Sequence, residues 1–400
     1  MTATPGPSRY RLTGLPLPLH EYRAQTITNP RFGSVELGRW DRFFLPSTLA
    51  PLVDDAPLGT LSFVEDDNRS AILPEPAATI DGRDFFLSVK GVGSQVDPFS
   101  LRRLDPAYAA ELSDDPEVRA RLRTVTGDSP GGIITGELWL RGSPYGGQGL
   151  LHAETALKVS ERAELTSVAG FRIAPVVKIA LLPRELESRL RTIHWYRKFP
   201  GRLVQEIRLV PSNIRIYFHG RNTVGSNVGY VFDAFGIDSS ATAVQFETQF
   251  VRSAVAMLTL FARTLTFEAS SGQYAGLDFL DVWLDKDAVL APDGTVFFVD
   301  LEGIEAVRVD RTAVVEKIED QIYRSLYEFM FAYEQLEQER TRRFGGAVSR
   351  KRHFEDVLTV ALREDPFVRV RREGRGVVLE IRNSIGDEKL NHRFPLVDAS

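Results

Sequence analysis

Three places in this 400-residue chain carry residues whose types and spacing could do chemistry. Lys90 closes the apolar run Phe85-Phe86-Leu87-Ser88-Val89 and is followed by Gly91 and Gly93. An ammonium at a strand end can meet phosphate oxygens, and glycines let backbone N–H groups approach them. The plainer alternative is a lysine snorkelling from an edge strand beside a glycine turn. The second place is the glycine-rich run Arg141 to Gly149, with Gly146, Gly147 and Gly149, which opens straight into an expected helix from Leu150. A helix N-terminus behind flexible glycines suits an anion. Glu154 and Glu161 are seven apart on that helix and share a face. Either could hold the Lys90 ammonium in position, or both could simply face water.

The third place is the densest. Asp278, Asp281, Asp285 and Asp287 crowd one segment, and thirteen residues beyond Asp287 comes Asp300-Leu301-Glu302-Gly303 at the end of an apolar run. A charge at the tip of a buried strand is costly unless it is paired or metal-bound. Hard carboxylate oxygens suit Mg2+ or Mn2+, which bring waters and a nucleotide's phosphates with them. An upstream acid could then act as base or as a second metal ligand. A calcium loop is the weaker alternative, because Asp285-x-Asp287 lacks the oxygen ligands and closing Glu of that spacing.

Composition closes other routes. There are no cysteines, which excludes disulfides, thiolate metal sites and cysteine nucleophiles. The six histidines lack zinc-ligand spacing, and no Gly-x-Ser-x-Gly elbow is present. A net charge of -5 argues against a nucleic-acid binder. Only eight of the 49 basic residues are lysines, so each lysine merits separate attention. No apolar stretch is long enough to span a bilayer and the first twenty residues carry no leader pattern, so a cytoplasmic location is expected.

The elements that must position these residues follow from periodicity. Residues 1–59 are broken by Pro and Gly and read as a wrapping segment with little regular structure. Strands are expected at 59–64, 70–73 and 84–89, the last after the turn Asp81-Gly82, then at 132–140, 171–182, 203–210 and 214–218. Helices are expected at 106–122, 150–165 and 184–199. The second half predicts a long buried helix over 241–267, a hairpin turning at Pro292-Asp293-Gly294, and a second long helix over 311–344. A helix near 351–363 and a hairpin across Glu373-Gly374-Arg375-Gly376 end the chain. Arg369, Arg371, Arg372 and Arg375 are expected on the solvated face of that hairpin. The chain is too long for one core, so two lobes are expected.

The order strand-Lys-Gly, glycine loop, helix with Glu, strands, buried helix, acidic loop, hairpin and strand-Asp-x-x-Gly resembles protein-kinase-like folds. Val89-Lys90-Gly91-Val92-Gly93-Ser94, Gly147-Gln148-Gly149, Ser160-Glu161-Arg162-Ala163 and Ile173-Ala174-Pro175 resemble motifs of the selenoprotein O family. Its members are kinase-like and transfer AMP from ATP to protein hydroxyls. The resemblance spans roughly 60–305 and implies a nucleotide-phosphate role for Lys90, Gly91, Gly93, Arg141, Gly147 and Gly149. It implies a Lys90 partner in Glu154 or Glu161 and a metal-binding role for Asp300. The catalytic base and the remaining metal ligand match only loosely: Asp281, Asp285 and Asp287 compete, with Asp281 the candidate base and Asp287 and Asp285 candidate ligands. About fifty residues intervene between Lys90 and the glycine loop where the family has a short connection, several of that loop's arginines are missing with Arg141 the only near substitute, and the family's C-terminal cysteine has no counterpart.

The expectation is therefore an α+β, bilobal kinase-like protein. It comprises a segment over 1–59, a sheet-rich nucleotide lobe over 60–220, a helical catalytic lobe over 221–345 and an extension over 346–400. The expected activity is phosphoryl or adenylyl transfer from ATP with Mg2+ or Mn2+, to an acceptor such as a protein. The alternative is a catalytically inactive pseudokinase that senses nucleotide or scaffolds partners. Neither nucleic acid nor membrane is an expected partner.

Overall fold

The computed structural model describes residues 10, 16–32, 41–46, 60–65, 70–91, 116, 148–162, 168, 170–192, 201–216, 224–279, 284, 287–345, 350–374 and 376–396. The chain is α+β, with an antiparallel sheet region in its N-terminal part and helices mainly in the later half. It divides into two compact units, one of residues 11–161 and 175–210, the other of 1–10, 162–174 and 211–400.

The first unit is built on one sheet. Its strands are β1 (Pro16–Arg23), β2 (Gln25–Thr28), β3 (Arg42–Pro46), β4 (Thr60–Glu65), β5 (Ser70–Ile80), β6 (Arg83–Lys90), β7 (Gln148–Gly149), β8 (Val176–Leu181) and β9 (Leu203–Val210). They run in the order β2-β8-β9-β6-β5-β4-β1-β3, with β7 pairing beside β9. The β5–β6 hairpin turns on Asp81 and Gly82, both at positive φ (51° and 75°), the geometry a two-residue Asp-Gly turn favours. β8 and β9 are buried along their whole lengths, so both faces of the sheet are covered there. Helix Leu150–Glu161 packs on these two strands through Ala153, Ala156, Leu157 and Ser160.

The expectation of little regular structure before residue 60 is corrected here, because β1, β2 and β3 all lie in that stretch. Proline punctuation hid β1. Its two prolines, Pro16 and Pro18, precede Leu19, where pairing with β3 begins, so their missing N–H groups are tolerated.

The second unit is helical around a small strand core. Helices Val224–Ala234, Ser240–Leu258, Val314–Phe344 and Arg350–Ala361 bury a chain of rings. Phe250 stacks on Phe329 at 5.8 Å, and Phe354 lies 6.3 Å from Phe329 and 4.7 Å from Tyr333. Ser239 starts the second helix by accepting from the Thr242 amide while the Thr242 hydroxyl accepts from the Ser239 amide, a reciprocal cap. The single long helix expected over 241–267 is two: it ends at Leu258, and a short helix, Leu260–Arg263, follows Thr259. Strand β10 (Thr266–Glu268) then pairs with β11 (Gln273–Phe279), which pairs in turn with β14 (Ile304–Val309). β12 (Ala288–Leu290) and β13 (Val296–Phe298) form the expected hairpin.

The C-terminal hairpin also forms, as β15 (Val368–Glu373) and β16 (Gly376–Ile381), and gains a third strand, β17 (His392–Leu396). Arg369, Arg371 and Arg372 are exposed on it, the latter two paired with Glu380, Glu355 and Asp356. No described helix is long and apolar enough to cross a membrane.

Candidate functional site

Lys90 ends β6, half-buried, and Gly91 follows at φ 90° with its carbonyl accepting from the Gln205 side chain at 3.0 Å. That φ is left-handed backbone, which suits glycine and marks where the chain leaves the sheet. Across the sheet Lys90 stands opposite Ser70 of β5 and Glu206 of β9. Glu154 and Glu161 are half-exposed on helix Leu150–Glu161, and neither forms an ion pair with Lys90 among the described contacts. Gly149 is buried where β7 meets that helix. Gly93, Arg141 and Gly147 lie outside the described residues, as do most of the expected helix at 106–122 and the strand at 132–140.

The Ser160 side chain has a positioning role that spacing alone did not reveal. Its hydroxyl donates to the Ala156 carbonyl at 2.8 Å and accepts from the Val176 amide at 2.9 Å. The last turn of the helix is thereby pinned to the first residue of β8.

In the other unit, the β12–β13 hairpin is held on both sides. The Ala174 amide donates to Phe298 O at 2.7 Å and the Phe298 amide to Arg172 O at 3.2 Å, adding a parallel bridge at Ile173. On the far side Leu290 donates to Ile214 O at 2.8 Å, and Arg215 bridges Val289. Short segments at 172–174 and 214–215 thus flank the hairpin. Beneath it, the Phe298 ring lies 5.4 Å from Phe171 and 5.2 Å from Phe279.

Asp287 and Asp300 occupy the base of this hairpin. The Val299 amide donates to Asp287 O at 2.9 Å, and Asp287 is only 2% exposed. Continued strand geometry would turn Asp300 to the opposite face from Asp287. At φ −102° and ψ 76°, however, Asp300 leaves the strand and leads into the 3₁₀ turn Leu301–Gly303. The alternation therefore ends at the residue where a second oxygen ligand would be wanted. Asp281 and Asp285 lie outside the described residues, and no group of three metal-ligating side chains occurs among the described ones.

Asp278 is spoken for. It is fully buried and held by Lys317, by Gln321 Nε2 at 3.0 Å, by Arg324 at 3.4 Å and by the Phe279 amide at 2.8 Å. It is a structural anchor between β11 and helix Val314–Phe344. Asp293 likewise serves the turn, accepting from the Thr295 amide at 3.0 Å.

Sequence reasoning passed over Glu206 and Arg208. Both are buried in β9 and paired with each other. Their signal was two charges at alternate positions inside a strand that is otherwise apolar on that face, Val204-x-Glu206-x-Arg208-x-Val210.

No protein-family model matches the chain, and no curated protein matches it.

Proposed function

We propose that the protein is a kinase-like transferase that uses ATP with Mg2+ or Mn2+ to pass a phosphoryl or adenylyl group to an acceptor. The observation that carries this reading is the pair Asp287 and Asp300, held one residue apart across the base of a pinned hairpin. Lys90 at the end of β6, with left-handed Gly91 behind it, supports the same reading. The motifs of the resemblance set out above support it from the sequence.

Lys90 offers an ammonium to phosphate oxygens, and Asp287 and Asp300 would hold the divalent ion. That ion would neutralise charge on the phosphates. Chemistry of this class is mostly positioning and charge neutralisation, so few side chains need act covalently. Asp281 is the proposed base.

Thermal-shift measurements against ATP and GTP, with and without Mg2+ or Mn2+, test the reading. A nucleotide at a hundred times its dissociation constant adds about 2.7 kcal/mol of stability. A metal-dependent shift is expected for at least one nucleotide, followed by label transfer from ATP labelled in the α- or γ-phosphate. A shift without transfer identifies a nucleotide-binding pseudokinase, and no shift with any nucleotide overturns both.

A further inference from the structure

We propose that Glu206, rather than a glutamate of helix Leu150–Glu161, is the carboxylate that positions the Lys90 ammonium. The inference deepens the nucleotide reading of Lys90 and rests on it for its functional meaning. Its structural content stands on the sheet alone.

The register places Lys90 directly opposite Glu206 across the β6–β9 ladder. Residues paired in this way send their side chains to the same face, with Cβ atoms about 4.5–5.5 Å apart. Helical partners would have to reach down from a different element. Glu206 is fully buried, so its charge must be compensated nearby. Arg208, two residues along the same face, takes Oε1. Oε2 is also buried, and it has no hydrogen-bond partner among the described residues. A buried carboxylate oxygen left open is expensive, and Lys90, opposite in register, is a cation able to turn to it in addition to its existing contacts. Ser88 lies on the same face opposite Arg208, so the strip Lys90, Glu206, Ser88 and Arg208 is a polar line across two apolar strands.

A carboxylate here does what a phosphate-binding lysine needs. It keeps the amine protonated and limits the arc the side chain can sweep. Because Glu206 sits on the neighbouring strand, that constraint is built into the sheet and does not depend on any helix movement.

Trace acetylation with acetic anhydride at pH 8 tests the proposal in the full chain, with Lys90 read by peptide mass spectrometry against exposed Lys389. Removing the opposite charge leaves more free amine, so Glu206→Gln should speed Lys90 labelling about tenfold. Glu206→Asp should give an intermediate rate. Arg208→Gln, which frees Oε1 for the lysine, should slow it. Glu154→Gln and Glu161→Gln should stay within about twofold of the wild type. Native circular dichroism qualifies each variant, and if Glu206→Gln does not fold, Glu206→Asp and Arg208→Gln decide. Unchanged labelling in the folded Glu206 and Arg208 variants overturns the proposal, as does acceleration by Glu154→Gln or Glu161→Gln. Protection of wild-type Lys90 by ATP with Mg2+ is scored separately. Its absence overturns the nucleotide role and leaves the Lys90–Glu206 pair standing, whereas protection without any Glu206 effect overturns the pair alone.

Discussion

The Val299 amide donates to the Asp287 carbonyl at 2.9 Å, so the last rung of the β12–β13 hairpin fixes Asp287 beside the residue that precedes Asp300. The bond fixes the two backbones, while Asp287 and Asp300 each make further contacts of their own. The hairpin that carries them is pinned from both sides, by the segments at 172–174 and 214–215.

Asp287→Asn and Asp300→Asn each keep the shape and remove one charge. Both variants should still fold, and either should abolish the stabilisation given by ATP with Mg2+. Asp293→Asn is the matched control on the same hairpin. It retains an acceptor for the Thr295 amide and should keep both properties. Unfolding of Asp300→Asn with nucleotide stabilisation intact would make Asp300 a structural carboxylate.

Ser160 permits a cleaner separation of fold from function. Ser160→Ala leaves the Val176 amide at a buried strand start without its partner, at a cost of about 1–3 kcal/mol. The midpoint of urea unfolding should fall accordingly. The response to ATP in whatever remains folded should not change. A midpoint equal to the wild type would show that the hydroxyl is dispensable for docking the helix.

Much of the frame was legible because it rests on local signals. Asp81-Gly82 and Pro292-Asp293-Gly294 announced their turns, and the apolar run at 203–210 matched its strand end to end. What escaped depended on distant partners. Nothing near Thr259 in sequence shows that the helix must stop there. The buried Arg263 that follows pairs with Asp365 at 2.8 Å, roughly a hundred residues away. Strand β11 was missed because its partner β14 is read only from tertiary pairing. Within the candidate site, Asp287 and Asp300 were legible as carboxylates at the two ends of the hairpin. The alternative fate of Asp278, and the place of Glu206 opposite Lys90, required the register.

Gly294 probes the hairpin independently of any ligand. Its φ is +91°, and a Cβ there would run into the Phe246 backbone carbonyl. Gly294→Ala should therefore cost roughly 2–4 kcal/mol, combining backbone strain with a clash against a helix that cannot give way. Gly236→Ala has a similar φ of +66° in open space and should cost distinctly less. Equal losses in chemical denaturation would contradict the close approach at Phe246.

Helices Ser240–Leu258, Val314–Phe344 and Arg350–Ala361 share a buried charge network. Glu247 is fully buried and bound by Arg340 Nε at 2.9 Å and His353 Nε2 at 2.7 Å. Arg340→Met should be costly, about 3–5 kcal/mol, because it strands the Glu247 carboxylate. Adding Glu247→Leu should recover a large part of that loss, since the stranded charge is then gone. A double variant no better than Arg340→Met would show that packing, not charge, sets the cost.

Tyr333 supplies a pH-dependent test in the same region. Its hydroxyl is buried without a hydrogen-bond partner among the described residues, and its ring packs on Phe354. Burial, reinforced by the charges of Glu247 and Glu337, pushes the phenol well above its ordinary range. A folded-state value raised above the unfolded one stabilises the native state fully below the unfolded value, near pH 10. That contribution is lost as pH rises beyond it. Tyr333→Phe removes the titrating group while keeping the ring. Stability at pH 7 should be unchanged or improved by up to about 1 kcal/mol, and the midpoint of alkaline unfolding should move to higher pH. Circular dichroism across pH 9–12 reads the midpoint, and absorbance at the phenolate band should show one tyrosine fewer ionising in step with unfolding. A Tyr333→Phe protein that is markedly less stable at pH 7 would mean that the hydroxyl is satisfied after all, for example by ordered water.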